Sequence, residues 1–342
     1  MTPEKKQVSS IGTTLTRYIL EQEYDRPEFA GQLSILLNQV AYGGKILARE
    51  ISRAALIGKL GLIGERNATG DSQKKLDVYS DETIIDALVE TKLICSIVTE
   101  EQEHVVHVES ARDAEYIVVM DPLDGSSNTD YNGSLGTIFG IMKRKPGVDA
   151  NSIDNFYRKG TDLLVAGYVM YSTSTLLVYT TGHGVHGFTL DRDLGEFLLS
   201  HENIRCPDRG AIYSANLAHY PEWDQNIRHF VDYLTWPVSS PDRKPHSLRY
   251  SGALVADFHR CLLEGGLYFY PPDPSHKDGK LRLMYECAPL GFIAEHAGGA
   301  ASSGHARILD IQSAHIHERA PLAIGSKEDV ALYDKFVREG HP

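Results

Sequence analysis

Apolar side chains at Leu33, Leu36, Leu37, Val40, Leu47, Ile51 and Ala54 recur at steps of three and four, which is the spacing of one face of an α-helix. Gly43-Gly44 weakens the middle of that helix and predicts that another element approaches it closely. Residues 1–30 are polar and read as partly mobile, and residues 61–75, rich in Gly, Asn, Asp, Ser and Lys, read as a loop. A second helical stretch is expected over 80–92. The texture then becomes that of strands. Cys95–Thr99 is short and β-branched, Tyr116–Met120 reads YIVVM, and Gly136–Met142 reads as its continuation after a turn. Residues 143–161 form a charged surface connection, and Leu163–Tyr171 with Leu176–Thr180 are expected to pair antiparallel. Beyond residue 205 the pattern predicts strands over 211–215 and 267–271, helices over 221–234, 252–264 and 290–297, and a loop over 237–247. A boundary near 200–206 divides the chain into an N-terminal part, 1–203, and a C-terminal part, 204–342.

Composition narrows the function. The 342 residues are 42% hydrophobic and 23% charged, with a net charge of −12. This is a globular composition, and its sign disfavours nucleic acid or an anionic membrane surface as partner. An acidic chain that takes an anionic substrate needs local Lys and Arg, or a divalent cation between like charges. No apolar run approaches the roughly 18 residues that span a bilayer. Met1–Ser10 has no apolar leader core, so a cytoplasmic protein is expected. Cys95, Cys206, Cys261 and Cys287 show no CxxC spacing, which fits reduced thiols better than a zinc or redox pair.

The candidate chemistry centres on Asp121-Pro122-Leu123-Asp124-Gly125-Ser126-Ser127-Asn128, directly after the YIVVM run. Pro122 fixes its own φ and Gly125 permits a tight turn. Asp121, Asp124 and the Leu123 carbonyl can then converge as hard oxygen ligands for a cation such as Mg²⁺. The Gly125–Ser127 amides follow at once and can face an anion beside it. Asp-Pro and Asp-Gly are also ordinary turn formers, so the whole string, rather than DPxD alone, carries the signal. Glu100 and Glu101 follow the Cys95–Thr99 strand, Asp71 and Asp77 flank Lys74-Lys75, and Glu286 interrupts the apolar LRLMYEC. A carboxylate in apolar surroundings needs a partner. Lys280-Leu281-Arg282-Leu283 alternates, so on a strand the two cations share one face and the leucines the other.

In the same order along residues 30–330, KKLDV (74–78), TEE (99–101), DPLDGSSN (121–128), GTIFGI (136–141), YSGALVADFHR (250–260), GKLRLMYEC (279–287) and HERAPLAIGS (317–326) resemble class I fructose-1,6-bisphosphatase. The shorter DPxDG element is shared with the wider lithium-sensitive, inositol monophosphatase-like superfamily. The resemblance implies an α/β (α+β) fold, a layered α-β-α-β-α sandwich with the site between its two parts. It implies hydrolysis of the 1-phosphate of fructose-1,6-bisphosphate by a metal-activated water. Two or three Mg²⁺ ions, with Mn²⁺ or Zn²⁺ as alternatives, would be held by Glu100, Asp121, the Leu123 carbonyl, Asp124, Glu286 and Asp71. Asp77 and Glu101 would orient and deprotonate the water. Gly125, Ser126 and Ser127, with Asp124 beside them, would hold the 1-phosphate, and Asn216, Tyr250 and Tyr270 the 6-phosphate. Leu254 and Lys280 would contact the sugar, and Arg282 would lie near the active-site phosphate or carboxylates. Arg249 would reach the neighbouring subunit's 6-phosphate, implying a homo-oligomer, a tetramer in this family.

The chain departs from the family pattern in two places. A tyrosine expected three residues after Asn216 is His219, with Tyr220 next to it. Around the family's AMP site, Ala30 and Gln32 stand where a threonine and a glutamate are expected. Glu115 replaces a lysine beside Tyr116, and Lys143 replaces an arginine. A carboxylate there repels a phosphate, so weak AMP inhibition, or none, is expected. The cysteine-bearing insertion that gives thioredoxin control has no counterpart. The competing readings are sedoheptulose-1,7-bisphosphate as the substrate or a second substrate, an inositol-phosphate or nucleotide phosphatase, and a non-enzymatic sensor. The YSG and GKLR segments oppose the phosphatase of monophosphates, and the full set of carboxylates opposes the sensor. No GxxxxGK[ST] occurs, which excludes a P-loop kinase.

Overall fold

The computed structural model describes residues 12–25, 31–66, 72–235 and 244–341. The chain opens with α1 (Leu15–Asp25) and α2 (Gln32–Ile51), followed by β1 (Leu62–Arg66) and β2 (Ser72–Lys74) and then α3 (Lys75–Val89). Three of these differ from the sequence reading. Residues 15–25 of the polar N-terminal stretch are a helix that buries Leu15, Tyr18 and Ile19. The expected loop contains an antiparallel pair, Leu62 opposite Lys74 and Arg66 opposite Ser72. The second helix starts five residues before the expected Ser80, because Asp77 closes its first turn by accepting the Lys74 amide at 2.7 Å. The close approach foreseen at Gly43-Gly44 is present. A Cβ on Gly43 would stand 2.5 Å from Ile84 of α3, and one on Gly44 would stand 3.2 Å from Val169.

The next strands are β3 (Ile94–Thr99), β4 (Val106–His107), β5 (Tyr116–Asp124), β6 (Leu135–Lys143), β7 (Val165–Tyr171), β8 (Thr175–Thr180), β9 (His186–Asp191) and β10 (Glu196–His201). They form one eight-stranded sheet in the order β10-β9-β8-β7-β6-β5-β3-β4. Only β3 and β5 pair parallel in it. The pair β7–β8 is antiparallel as expected, whereas β9 and β10 had no sequence signal. Period-two alternation splits each central strand between two cores. On β5, Tyr116, Val118 and Met120 pack under α1–α3, while Ile117 and Val119 face the opposite side. Both faces are covered, so the strands read as continuous apolar runs.

The remaining elements are β11 (Ile212–Ser214), α4 (Gln225–Thr235), β12 (Ser247–Leu248), α5 (Leu254–Glu264), β13 (Leu267–Tyr270), β14 (Leu281–Arg282), α6 (Ala288–His296), β15 (Ala300–Ser302), β16 (Arg319–Ala320), β17 (Leu322–Gly325) and α7 (Lys327–Glu339). Most of the loop expected over 237–247 lies outside the described residues, and Ser247 belongs to β12. A five-stranded sheet runs β12-β11-β13-β17-β15, and β14 pairs with β16 alone. Tyr268 and Tyr270 of β13 face the core shared with α5, α6 and the large sheet. Leu267 and Phe269 face α4 and α7, where the Phe230 ring lies 5.5 Å from Phe269 and 5.4 Å from Phe336. The layers are therefore α1–α3, the eight-stranded sheet, α5–α6, the five-stranded sheet, and α4 with α7, as the layered sandwich required. The four cysteines are free and buried, and no helix among the described residues is long and apolar enough to cross a membrane.

Candidate active site

Two parallel strands end side by side and deliver the carboxylates. After β3, the Thr99 hydroxyl accepts the Glu101 and Gln102 amides at 3.2 Å each, and this tight turn brings Glu100 and Glu101 into the cleft. The Glu100 amide donates to the Met120 carbonyl at 3.2 Å. β5 does not stop at Met120, as the sequence suggested, but continues through the DPLD string to Asp124 with its register shifted between Asp121 and Asp124. Asp121 Oδ1 accepts the Leu123 amide at 3.0 Å, and Thr137 Oγ1 donates to the Pro122 carbonyl at 2.9 Å. Gly125 then turns the chain at φ 74°, and a Cβ there would stand 2.5 Å from that of Ala253. Asp124 accepts the Leu254 and Val255 amides at 3.1 and 2.7 Å, so it also caps α5 with negative charge at the positive end of the helix dipole.

Glu286 comes from a π-helical turn, Leu283–Cys287, at the start of α6, a distortion that is frequent at functional sites. Its Oε2 accepts the Arg282 amide at 2.6 Å. Donor atoms of Asp121, Asp124 and Glu286 lie within 4.8 Å of one another, and all three residues are buried. Burial, and then the neighbouring carboxylates, push Asp121 well above the usual carboxylate range. Burial is likewise the first cause raising Asp124 and Glu286. Lys280 and Arg282 offset the cluster only in part, and buried carboxylate oxygens converging in this way are the ligand set of a hard divalent cation. Asp77 lies apart from this group. Burial raises it to about 6, against the opposing Lys74 amide and Ser126 hydroxyl, and the Lys74 amide is taken by Oδ2.

These residues line a cleft of about 580 Å³ together with Leu123, Gly125, Ser126 and Ser127. Tyr250, Leu254, Tyr270 and Lys280 stand in the same cleft, with the Lys280 ammonium 5.6 Å from the Tyr270 ring centre. Lys74, Asp130 and Tyr268 also line it, and sequence reasoning missed all three as site residues. Lys74 Nζ reaches Asp130 at 2.7 Å, a pairing across 56 residues that no local pattern announces. Asp71 and Ala30 lie outside the described residues.

Of the residues expected at this cleft, Asn216 and Arg282 do not line it, and Arg249, expected to reach a neighbouring subunit, stands outside it. Asn216 caps a 3₁₀ turn by accepting the Ala218 amide. Arg249 is exposed and donates to the Leu248 carbonyl. Lys280 and Arg282 do not share a face. β14 is two residues long and is preceded by Gly279 at φ 88°, so strand alternation does not extend back to Lys280. Lys280 opens into the cleft, whereas Arg282 is buried and lines a different cavity. At the family's departure, Tyr220 donates to Asp232, while the His219 ring lies 6.4 Å from that of Tyr270. Glu115 pairs with Lys143 at 3.3 Å. Gln32 borders a separate depression with Glu115, and Lys143 stands 6.0 Å from the Tyr116 ring centre.

Comparison with known proteins agrees with this geometry. Residues 13–202 match the family model described as fructose-1-6-bisphosphatase, N-terminal domain, and residues 206–338 match the corresponding C-terminal domain. A class 1 fructose-1,6-bisphosphatase of Acaryochloris marina is 57% identical over 312 residues, covering 90% of this chain and 92% of that protein. One from Chlorobaculum parvum is 46% identical, covering 96% and 98%. Leishmania major fructose-1,6-bisphosphatase in its holo form superimposes with a TM-score of 0.90 at 39% identity, covering 96% of this chain and 99% of that one. Similarity of this depth runs through both halves that form the cleft, and the chain belongs to the class 1 fructose-1,6-bisphosphatase family.

Proposed function

We propose that the cleft hydrolyses the 1-phosphate of fructose-1,6-bisphosphate to fructose-6-phosphate and phosphate, with two or three Mg²⁺ ions held by Glu100, Asp121, the Leu123 carbonyl, Asp124 and Glu286, and by Asp71. The observation that supports this most directly is the convergence of Asp121, Asp124 and Glu286 within 4.8 Å, across one cleft from Tyr250, Tyr270 and Lys280. Cations at such a site neutralise the phosphate and lower the pKa of a bound water. The chain's own residues do the rest. Gly125, Ser126 and Ser127 hold the 1-phosphate, and Asp77 takes the proton of the attacking water at Oδ1, the oxygen that does not accept the Lys74 amide. A base raised to about 6 is poised for proton transfer near neutral pH. Glu101 orients the water. Tyr250 and Tyr270 hold the 6-phosphate, and Leu254 and Lys280 the sugar between the two ends. Their binding energy fixes the 1-phosphate for in-line attack.

The same reading assigns Asn216 to the edge of the 6-phosphate site, Arg282 to the electrostatics of Glu286, and Arg249 to the neighbouring active site of a homotetramer. It divides the chain into parts 1–203 and 204–342 and places the enzyme in the cytoplasm. The Glu115–Lys143 ion pair supports weak AMP inhibition, or none. Phosphate release should be measured with Mg²⁺ from fructose-1,6-bisphosphate, sedoheptulose-1,7-bisphosphate and inositol-1-phosphate. Fast EDTA-sensitive release from the first is expected. Release confined to inositol-1-phosphate would retain the cation chemistry and eliminate the bisphosphate clamp.

A further inference from the structure

Two segments far apart in the chain meet beside Tyr270. The first is the 3₁₀ turn Leu217–Glu222, in which His219 Nδ1 lies 3.0 Å from Glu222 Oε2. The second leaves the five-stranded sheet at Tyr270 and runs through Pro271-Pro272 to Asp273. A ring nitrogen of His219 and one carboxylate oxygen each of Glu222 and Asp273 lie within 4.8 Å of one another. None of the three lines the cleft, so they form a group separate from Asp121, Asp124 and Glu286. Two carboxylates at this spacing repel one another. Among the described residues neither is ion-paired with a lysine or an arginine, and their partners are imidazoles, His219 for Glu222 and His276 for Asp273. The Asp273 side chain has no exposed surface. Its Oδ1 accepts the Ser275 and His276 amides at 2.8 Å each and the Ser275 hydroxyl at 2.5 Å. At Oδ2 the recorded contact is the His276 ring, at 3.3 Å.

We propose that His219, Glu222 and Asp273 form a second divalent-cation site, which takes a borderline ion of the Zn²⁺ class with water completing its shell. One imidazole nitrogen with two carboxylate oxygens suits such an ion better than Mg²⁺, which favours oxygen alone. The nitrogen ligand is particular to this chain, because His219 stands where the family pattern expects a tyrosine. The Ser275 and His276 donors hold Asp273 from behind, as outer-shell groups orient a ligand. The ion would tie the 217–222 turn to the segment after β13. The His219 ring lies 6.4 Å from that of Tyr270, so on the reading of the cleft proposed above the ion braces the 6-phosphate end without touching a reacting atom.

One equivalent of Cu²⁺, added to the full-length enzyme in excess Mg²⁺, is the first probe. Its pulsed EPR spectrum shows the remote nitrogen of a coordinated imidazole, and Asp121, Asp124 and Glu286 supply none. Imidazole modulation is expected in wild type and should be lost in His219→Tyr. Glu222 is exposed, so Glu222→Gln removes a ligand with little effect on folding, and it should weaken Cu²⁺ binding about tenfold or more. His315→Gln, which alters a histidine of a separate cavity, should leave the signal unchanged. No imidazole signal, a signal that survives His219→Tyr, or one lost in His315→Gln overturns the proposal. Zn²⁺ is the second probe. At about 100 times its dissociation constant it should raise the Tm of wild type by about 4 °C more than that of His219→Tyr, the contribution of the carboxylate cluster being common to both. Copper binding without this Zn²⁺-dependent difference also overturns the assignment. Neither readout needs turnover, so failure here and failure of the bisphosphatase reading are told apart.

Discussion

Replacing Asp77 by Asn separates the electrostatic cost of the site from its catalytic use. Asp77 is 3% exposed, and burial raises its carboxyl from 3.8 to about 6. A group whose folded pKa is raised contributes its full stability below the unfolded value and loses it as the pH climbs to the folded one. The window here is about pH 4 to 6. At 1.36 kcal/mol per pH unit, the cation-free protein should forfeit roughly 3 kcal/mol across it. Asn carries no charge to desolvate and can still accept the Lys74 amide through its carbonyl oxygen. The charge-assisted part of that bond is lost, at about 1 kcal/mol. Cation-free Asp77→Asn should therefore exceed wild type by about 2 kcal/mol at pH 8 and match it or fall slightly below it at pH 4. With an unfolding entropy near 2.1 cal/mol/K per residue, 2 kcal/mol is a Tm rise of about 3 °C for a chain of this length. Scanning calorimetry of EDTA-treated protein from pH 4 to 8.5 measures it. Turnover should fall by about 10²–10⁴, the usual contribution of a general base. A variant less stable than wild type at pH 8, or a Tm gain equal at both pH values, would refute the argument that buried charge dominates at this position.

Other perturbations test the neighbouring links. Mg²⁺ should raise the Tm more at pH 8 than at pH 5.5, because the raised carboxyls of Asp121, Asp124 and Glu286 hold protons that compete with the cation at the lower pH; equal shifts would contradict this. Gly125→Ala should cost about 2–4 kcal/mol in denaturant titrations and depress activity, since it adds the roughly 1–2 kcal/mol of a left-handed non-glycine residue to an overlap with Ala253. Tyr270→Phe should raise KM about tenfold with kcat within threefold, the loss of one hydrogen bond to a charged group. A fall in kcat with unchanged KM would remove Tyr270 from the binding end. Millimolar AMP should leave the wild type active, whereas Glu115→Lys, which breaks the pair with Lys143, should gain AMP sensitivity in the same assay.

The sequence made the site more legible than the scaffold that aims it. DPLDGSSN announced its carboxylates because a polar string directly after a buried strand has few structural uses. Gly43-Gly44 announced a helix contact because two glycines in a helix need a reason. The helix α1 escaped notice because Leu15, Tyr18 and Ile19 are set among Thr, Arg, Gln and Glu. Strands β9 and β10 lie at one edge of the large sheet, where half-exposed positions dilute the alternation. The start of α3 lies earlier than the apolar pattern predicts, because Asp77, a candidate catalytic group, also closes the first helical turn. The two roles are compatible, since the helix cap uses Oδ2 alone.

The split between Lys280 and Arg282 carries the same lesson into function. Period two is a property of an extended strand, and Lys280 sits at a bend between Gly279, at φ 88°, and the start of β14 at Leu281. Two cations two residues apart thereby serve opposite walls. Lys280 opens into the cleft, and Arg282 is buried beside Arg319 and close to Glu286. Arg282 bears on the carboxylate cluster twice, since its charge favours ionised Glu286 and its amide donates to Glu286 at 2.6 Å. The cluster holds like charges that folding alone makes costly. The divalent cations proposed for the cleft would offset that charge from the substrate side, and Arg282 offsets part of it from the protein side.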